Sequence, residues 1–130
     1  SRAKLYDYIV YLNDARLVNM IDEQSRGLSK LVKPAKIYMN NTNLIYAYGD
    51  DCKAGTIRET FFANQLRVKH RLNIPKQGDF IVDDKFIFEV GGKNKGFEQI
   101  KDMPISFIAA DDIEVGIGNK IPLWLFGFLY

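Results

Sequence analysis

The sequence predicts a mixed α/β fold, and three observations carry that prediction. Apolar residues recur at helical spacing near the start, at Leu5, Ile9 and Leu12, and again in the middle, from Ile57 to Val68. Short runs rich in β-branched and aromatic residues alternate with them at 36–39, 79–82, 85–90 and 105–110. The chain has 130 residues, 47 % apolar and 26 % charged, which suits a compact domain with a real core and argues against disorder.

The elements follow in order. Leu5, Tyr8, Ile9 and Leu12 give a helix over about 3–13, which Asn13-Asp14 stops. Leu17 to Ile21 reads as a strand, 24–27 as a turn and 29–32 as the returning strand of a hairpin. Pro34 marks a seam. Residues 36–39 are strand-like, and Asn40 or Thr42 caps a short helix over 43–48 that Gly49-Asp50-Asp51 breaks. The longest helix is expected over 56–70, with Ile57, Phe61 and Val68 on one stripe and Phe62 and Leu66 beside it. Glu59, three residues from Phe62, then borders the apolar face. Residues 73–78 form a loop or short strand. Strands at 79–82 and 85–90 flank Asp83-Asp84, a two-residue hairpin turn. Gly91-Gly92 ends the second strand, a helix starts at 96–101, and the apolar run 105–110 is a buried strand. Residues 114–120 make a Gly-rich loop or weak strand. The tail 121–130 is a buried final element, with a partner-binding tail as the other reading.

Composition removes several classes of function. The formal charge of +2, from 18 Lys and Arg against 16 Asp and Glu, is too balanced to imply a nucleic-acid partner. A basic patch would have to come from placement. The single cysteine, Cys52, cannot form an internal disulfide, which points to the cytoplasm. Its neighbours Asp50 and Asp51 disfavour a thiolate, so it reads as structural and not as a nucleophile. One Cys and one His, His70, make no zinc site of ordinary composition, and His70 reads as a helix-end cation. The opening Ser1-Arg2-Ala3-Lys4 is not a secretory signal, and no run reaches the roughly 20 apolar residues of a membrane span. Gly91-Gly92-Lys93 is followed by Asn94 and lacks the phosphate-loop pattern, while Gly116-Ile117-Gly118 has no helix start after it.

The chemistry concentrates on the second hairpin. Asp79 begins one strand and Glu89 nears the end of the next, so antiparallel pairing puts both carboxylates at one end of the ribbon. Counting from a two-residue turn, Val82 faces Lys85, which sets Asp79 near Phe88 and diagonal to Glu89. A carboxylate pair of this kind suits Mg²⁺, which takes one or two carboxylates with water and phosphate oxygens. Such an ion polarises a phosphodiester and activates water. Glu59 could add a third ligand from the helix, Lys93 or Lys95 a cation for developing negative charge, and Gln99 a polar contact. On spacing alone the plainer reading is the commoner one: acids at strand ends are frequent, and the Gly-Gly-Lys-Asn-Lys stretch reads as a solvated bend.

Four stretches together resemble one family. Lys33-Pro34-Ala35-Lys36-Ile37-Tyr38-Met39-Asn40-Asn41-Thr42-Asn43-Leu44 resembles the junction segment of prokaryotic AAA-type (P-loop) ATPases that carry a C-terminal domain of unknown function. Gly55-Thr56-Ile57-Arg58-Glu59-Thr60-Phe61-Phe62 resembles that domain's helix signature. Phe88-Glu89-Val90-Gly91-Gly92-Lys93-Asn94-Lys95 with Gln99-Ile100 resembles its core, and Ile121-Pro122-Leu123-Trp124-Leu125-Phe126-Gly127 its end. The resemblance covers about residues 5–130. It implies a restriction-endonuclease-like domain of the PD-(D/E)xK kind over 34–130, with a central mixed sheet flanked by helices. Before it, 1–33 would be the remnant of a winged-helix region, a helix plus a β-hairpin. Glu59 matches the helix glutamate, Asp79 the metal-binding aspartate, Glu89 the second acidic residue and Gln99 the glutamine of the following helix. The resemblance also implies an ATPase domain earlier in a larger protein, which alone would bind ATP. Nucleic acid is then a candidate partner, and the apolar end and unaccompanied wing make an oligomer plausible. One position departs from the pattern. Glu-x-Lys would put a lysine at residue 91, on the same strand face as Glu89, and Gly91 stands there. Either Lys93 or Lys95 moves into its place or the site is degenerate.

Overall fold

The structure, a computed structural model, describes residues 1–24, 34–49 and 51–129. The chain is mixed α/β, with a five-stranded mixed sheet, a separate two-stranded sheet and three α-helices among the described residues. Helix α1 (Arg2–Asp14) is capped by Ser1, and Asn13 turns its side-chain oxygen to the Met20 N–H at 3.0 Å. No residue of α1 is buried, and Leu5, Tyr8, Tyr11 and Leu12 stay exposed.

Strand β1 (Val18–Ile21) pairs antiparallel with β2 (Lys36–Met39), Val18 opposite Met39 and Ile21 opposite Lys36. The pairing spans Pro34, and Ile21 joins the main core, so the two sides of that seam are packed together. The strand expected at 29–32 lies outside the described residues, as does most of the turn before it. Helix α2 (Thr42–Tyr48) is capped by Asn41, whose side chain accepts from the Leu44 N–H at 3.2 Å. The cap thus falls between the two residues the sequence suggested.

Helix α3 (Ala54–Leu66) starts earlier and stops four residues sooner than its apolar pattern implies. Its buried residues are Thr60, Phe62, Ala63 and Leu66, while Val68, beyond the helix end, is exposed. The buried stripe is therefore the one through Phe62 and Leu66, and Glu59 sits one turn before it. Phe62 is the centre of the core, with ring centroids 5.2 Å from Phe80, 5.0 Å from Phe88 and 5.0 Å from Phe126.

The main sheet runs β3 (Leu72–Asn73), β4 (Phe80–Val82), β5 (Phe86–Gly91), β6 (Ser106–Ala110), β7 (Lys120–Pro122). β4 runs antiparallel to both of its neighbours, β3 and β5, while β5, β6 and β7 run parallel. Strand alternation sorts the side chains. Phe80, Val82, Phe88 and Val90 pack with α3, whereas Ile81, Ile87 and Ile108 pack with Ile100, Phe97 and Met103 on the other face.

Two expectations fail here. No helix forms over 96–101; Ile100 and Met103 instead donate to Phe97 and Ile100 carbonyls at 2.9 and 3.0 Å, i→i+3 turns in a segment bounded by Gly96 and Pro104. The hairpin register also shifts by one. Val82 pairs with Phe86, not Lys85, because Asp83 and Asp84 (φ 52° and 55°) are followed by Lys85 within the turn. At the end of the chain, β7 leads into a 3₁₀ helix (Leu123–Phe128) that buries Leu123 and Phe126 but leaves Trp124, Leu125 and Phe128 exposed. The tail is therefore a final element buried on one side only. No helix among the described residues is long and apolar enough to cross a membrane.

Candidate active site

The one-residue register shift matters at the far end of the hairpin. Phe80 faces Phe88, so the register carried one step further puts Asp79 opposite Glu89. Asp79 follows Gly78, whose φ of 97° favours glycine and whose missing Cβ would lie 2.9 Å from Ile87 Cγ2. This bend delivers the Asp79 N–H to the Phe88 carbonyl at 2.9 Å and lets Asp79 Oδ2 accept from the Val90 N–H, also at 2.9 Å. The Asp79 charge is then near enough to act on the Glu89 carboxyl.

Glu89 is buried, its side chain 1 % exposed. A buried carboxylate demands partners, and it has two. Lys95 Nζ lies 2.6 Å from Oε2. Gln99, with its amide nitrogen turned toward the carboxylate as the hydrogen-bonding requires, donates to Oε1 at 2.6 Å and Oε2 at 3.1 Å. Burial pushes the Glu89 carboxyl up, the Lys95 hydrogen bond pulls it down, and the charge of Asp79 pushes it up again; the balance is a raised pKa. Burial pulls the Lys95 ammonium down, but the hydrogen bond to Glu89 and the charges of Glu89, Asp79 and Glu59 outweigh it, so its pKa is raised.

Gly91 explains how Lys95 gets there. A Cβ at residue 91 would lie 2.8 Å from both Cβ and Cγ of Lys95 and 3.0 Å from its Cδ. The lysine stem therefore runs through the space that a side chain at 91 would fill. The residue missing from the expected pattern and the lysine four positions later are the two halves of one arrangement. The loop between them is tied down by β7: Lys120 Nζ donates to the carbonyls of Lys93 at 2.5 Å and Lys95 at 3.0 Å. Lys93 itself is exposed, and its backbone rather than its ammonium makes this contact.

Glu59 lies at the edge of this group, on α3. It accepts from Tyr38 Oη at 2.5 Å and from Lys36 Nζ at 3.2 Å, and the same Nζ is 3.9 Å from Asp79 Oδ1. Burial lifts the Tyr38 phenol far above its ordinary value, and the hydrogen bond to Glu59 and the charges of Glu59 and Asp79 add to the lift, so it stays a donor. Of the residues singled out from sequence, Asp79, Glu89 and Gln99 meet directly, Glu59 joins through Lys36, and Lys93 stays outside. Lys36 and Tyr38 were missed. The signal was there: a Lys-x-Tyr pair on a strand puts both side chains on one face.

Among the described residues, no three His, Cys, Asp or Glu side chains are gathered closely enough to enclose a metal ion. The other singled-out residues lie elsewhere. His70, past the end of α3, pairs with Asp83 at 2.7 Å, and Cys52 is a half-buried free thiol. Compared with known protein families, with characterised proteins and with solved structures, the chain matches none.

Proposed function

We propose that residues 34–130 are a restriction-endonuclease-like domain of the PD-(D/E)xK kind, carried by an AAA-type ATPase, that cleaves a phosphodiester of nucleic acid with Mg²⁺. One observation carries the reading. Lys95 reaches the buried Glu89 at 2.6 Å through the space left by Gly91, so an acid pair and a lysine stand side by side although the Glu-x-Lys spacing is broken. On the same reading, α1 and β1 belong to a winged-helix region, and ATP binds only in the ATPase domain.

The donor set fits the ion. Asp79 and Glu89 offer hard carboxylate oxygens, and Mg²⁺ needs only one or two carboxylates because it keeps several waters. Glu59, held by Tyr38 and Lys36 at the edge of the pair, would act through the ion's waters and not as a direct ligand. Bound there, Mg²⁺ supplies Lewis-acid polarisation of the phosphate and a more acidic water. Lys95 Nζ, 2.6 Å from Glu89 Oε2, would stabilise negative charge building on a phosphate held at the acid pair. Gln99 holds the Glu89 carboxylate at both oxygens, and Tyr38 holds Glu59.

A second reading has its own support. Lys36, Tyr38, Lys95 and Gln99 already satisfy the acids, as in a polar network that serves only to hold the fold. The domain would then be a non-catalytic module that regulates the ATPase or binds a partner. The test is cleavage of DNA and RNA by the full-length protein in Mg²⁺ or Mn²⁺, beside Asp79→Ala. The nuclease reading expects cleavage to vanish in the variant; unchanged cleavage refutes it.

A further inference from the structure

The two lysines of the cluster are held differently. Lys95 is paired to a buried carboxylate, and its loop is tied by Lys120. Lys36 is the more exposed of the two, and it spans two acids: 3.2 Å to Glu59 and a looser 3.9 Å to Asp79. Its ammonium lies 5.9 Å and 5.8 Å from the ring centroids of Tyr38 and Phe80. A cation bound at Asp79 would face this ammonium across a few ångströms, and like charges so close repel.

We infer that Lys36 is an exchangeable counter-ion. It neutralises Glu59 and Asp79 when no divalent ion is present, gives way to the ion at Asp79, and then offers its ammonium to a non-bridging oxygen of a phosphodiester. The inference rests on the metal-binding reading above. Formal charge supports the order of events. Glu59, Asp79 and Glu89 against Lys36 and Lys95 leave one net negative charge. A divalent cation turns this into one positive charge, which a single phosphodiester anion cancels. Without Lys36 the same cluster carries two negative charges, a divalent ion brings it to zero, and the site with its ion no longer attracts the anion. Removing Lys36 should therefore move two affinities in opposite directions, whereas loss of a merely structural contact would weaken both.

The experiment measures Mn²⁺ binding by calorimetry for the protein, Lys36→Met and Asp79→Asn. It then measures binding of short phosphorothioate oligonucleotides of DNA and RNA in Ca²⁺ by fluorescence anisotropy. Lys36→Met should bind Mn²⁺ about two- to fivefold tighter, the range an exposed ion pair commands, and the oligonucleotide several-fold more weakly. Lys36→Gln, equally uncharged, should repeat both changes, which separates the effect from misfolding of one variant. Affinities that fall together, or that do not change, overturn the role given to Lys36 while leaving the metal site standing. Mn²⁺ binding that is absent, or unaltered by Asp79→Asn, overturns the metal reading itself and this inference with it.

Discussion

The sharpest structural prediction concerns Gly91. Replacing it with lysine restores the Glu-x-Lys spacing, yet the account predicts that the restoration alone does harm. The new Cβ would lie 2.8 Å from Cβ and Cγ of Lys95 and 3.0 Å from Cδ, all on the aliphatic stem. Something must shift, and overpacking of this kind costs about 1–3 kcal/mol. If the Lys95 stem moves away, the new lysine, on the same strand face as Glu89, takes its place as the cation, so the cost is that of overpacking alone. Gly91→Lys should therefore unfold at lower urea concentration, by about 1–3 kcal/mol. In a Lys95→Gly background the stem is gone and the same substitution should cost much less, because the new lysine has room and a partner in Glu89. Urea melts of the four proteins give the coupling energy, expected at about 1–3 kcal/mol for residues in contact. A coupling near zero would refute the idea that Gly91 is there to admit Lys95.

Other outcomes follow from the same geometry. Phe62→Ala removes the ring at the centre of the aromatic core and should cost about 3–5 kcal/mol by urea melt. Tyr38→Phe removes the donor to Glu59 and should cost about 1–3 kcal/mol, as for a hydrogen bond to a charged group that is partly buried. The His70 hydrogen bond and then the Arg71 N–H hold Asp83 below the ordinary carboxyl range. A lowered carboxyl contributes stability that is present above its unfolded pKa and is lost as pH falls through its folded one. In His70→Ala the Asp83 carbon resonance should titrate at higher pH than in the unaltered protein.

What could be read from the sequence was whatever depends on neighbours in the chain. The 79–90 hairpin, the buried strand at 105–110 and the first helix all follow from local periodicity, and they are in the structure. The carboxylate pair was legible because one turn joins its two strands. Its register was not, since the choice between a two- and a three-residue turn at Asp83-Asp84-Lys85 depends on how Leu72 pairs with Val82 from outside the hairpin. The phase of α3 was misjudged for a related reason. Val68 fits the helical stripe, but the helix stops at Leu66 and the sheet covers Phe62 and Ala63 instead. Lys36 and Tyr38 reach the site from a strand more than twenty residues before Glu59, and Lys120 fixes the Lys95 loop from a strand twenty-five residues after it. No spacing rule joins residues that distant. Lys93 was the lysine chosen from the sequence, with Lys95 as its alternative, and the position of the Lys95 stem against Gly91 reverses that order.

That separation gives the most direct test of the central claim. Cleavage of DNA and RNA in Mg²⁺ or Mn²⁺ is measured for the full-length protein, Lys95→Met and Lys93→Met side by side. A cation stabilising the developing charge is commonly worth about a hundredfold or more in rate. The account predicts that Lys95→Met loses cleavage to that extent and that Lys93→Met retains it. Cleavage preserved in Lys95→Met, or absent from the unaltered protein, would contradict it.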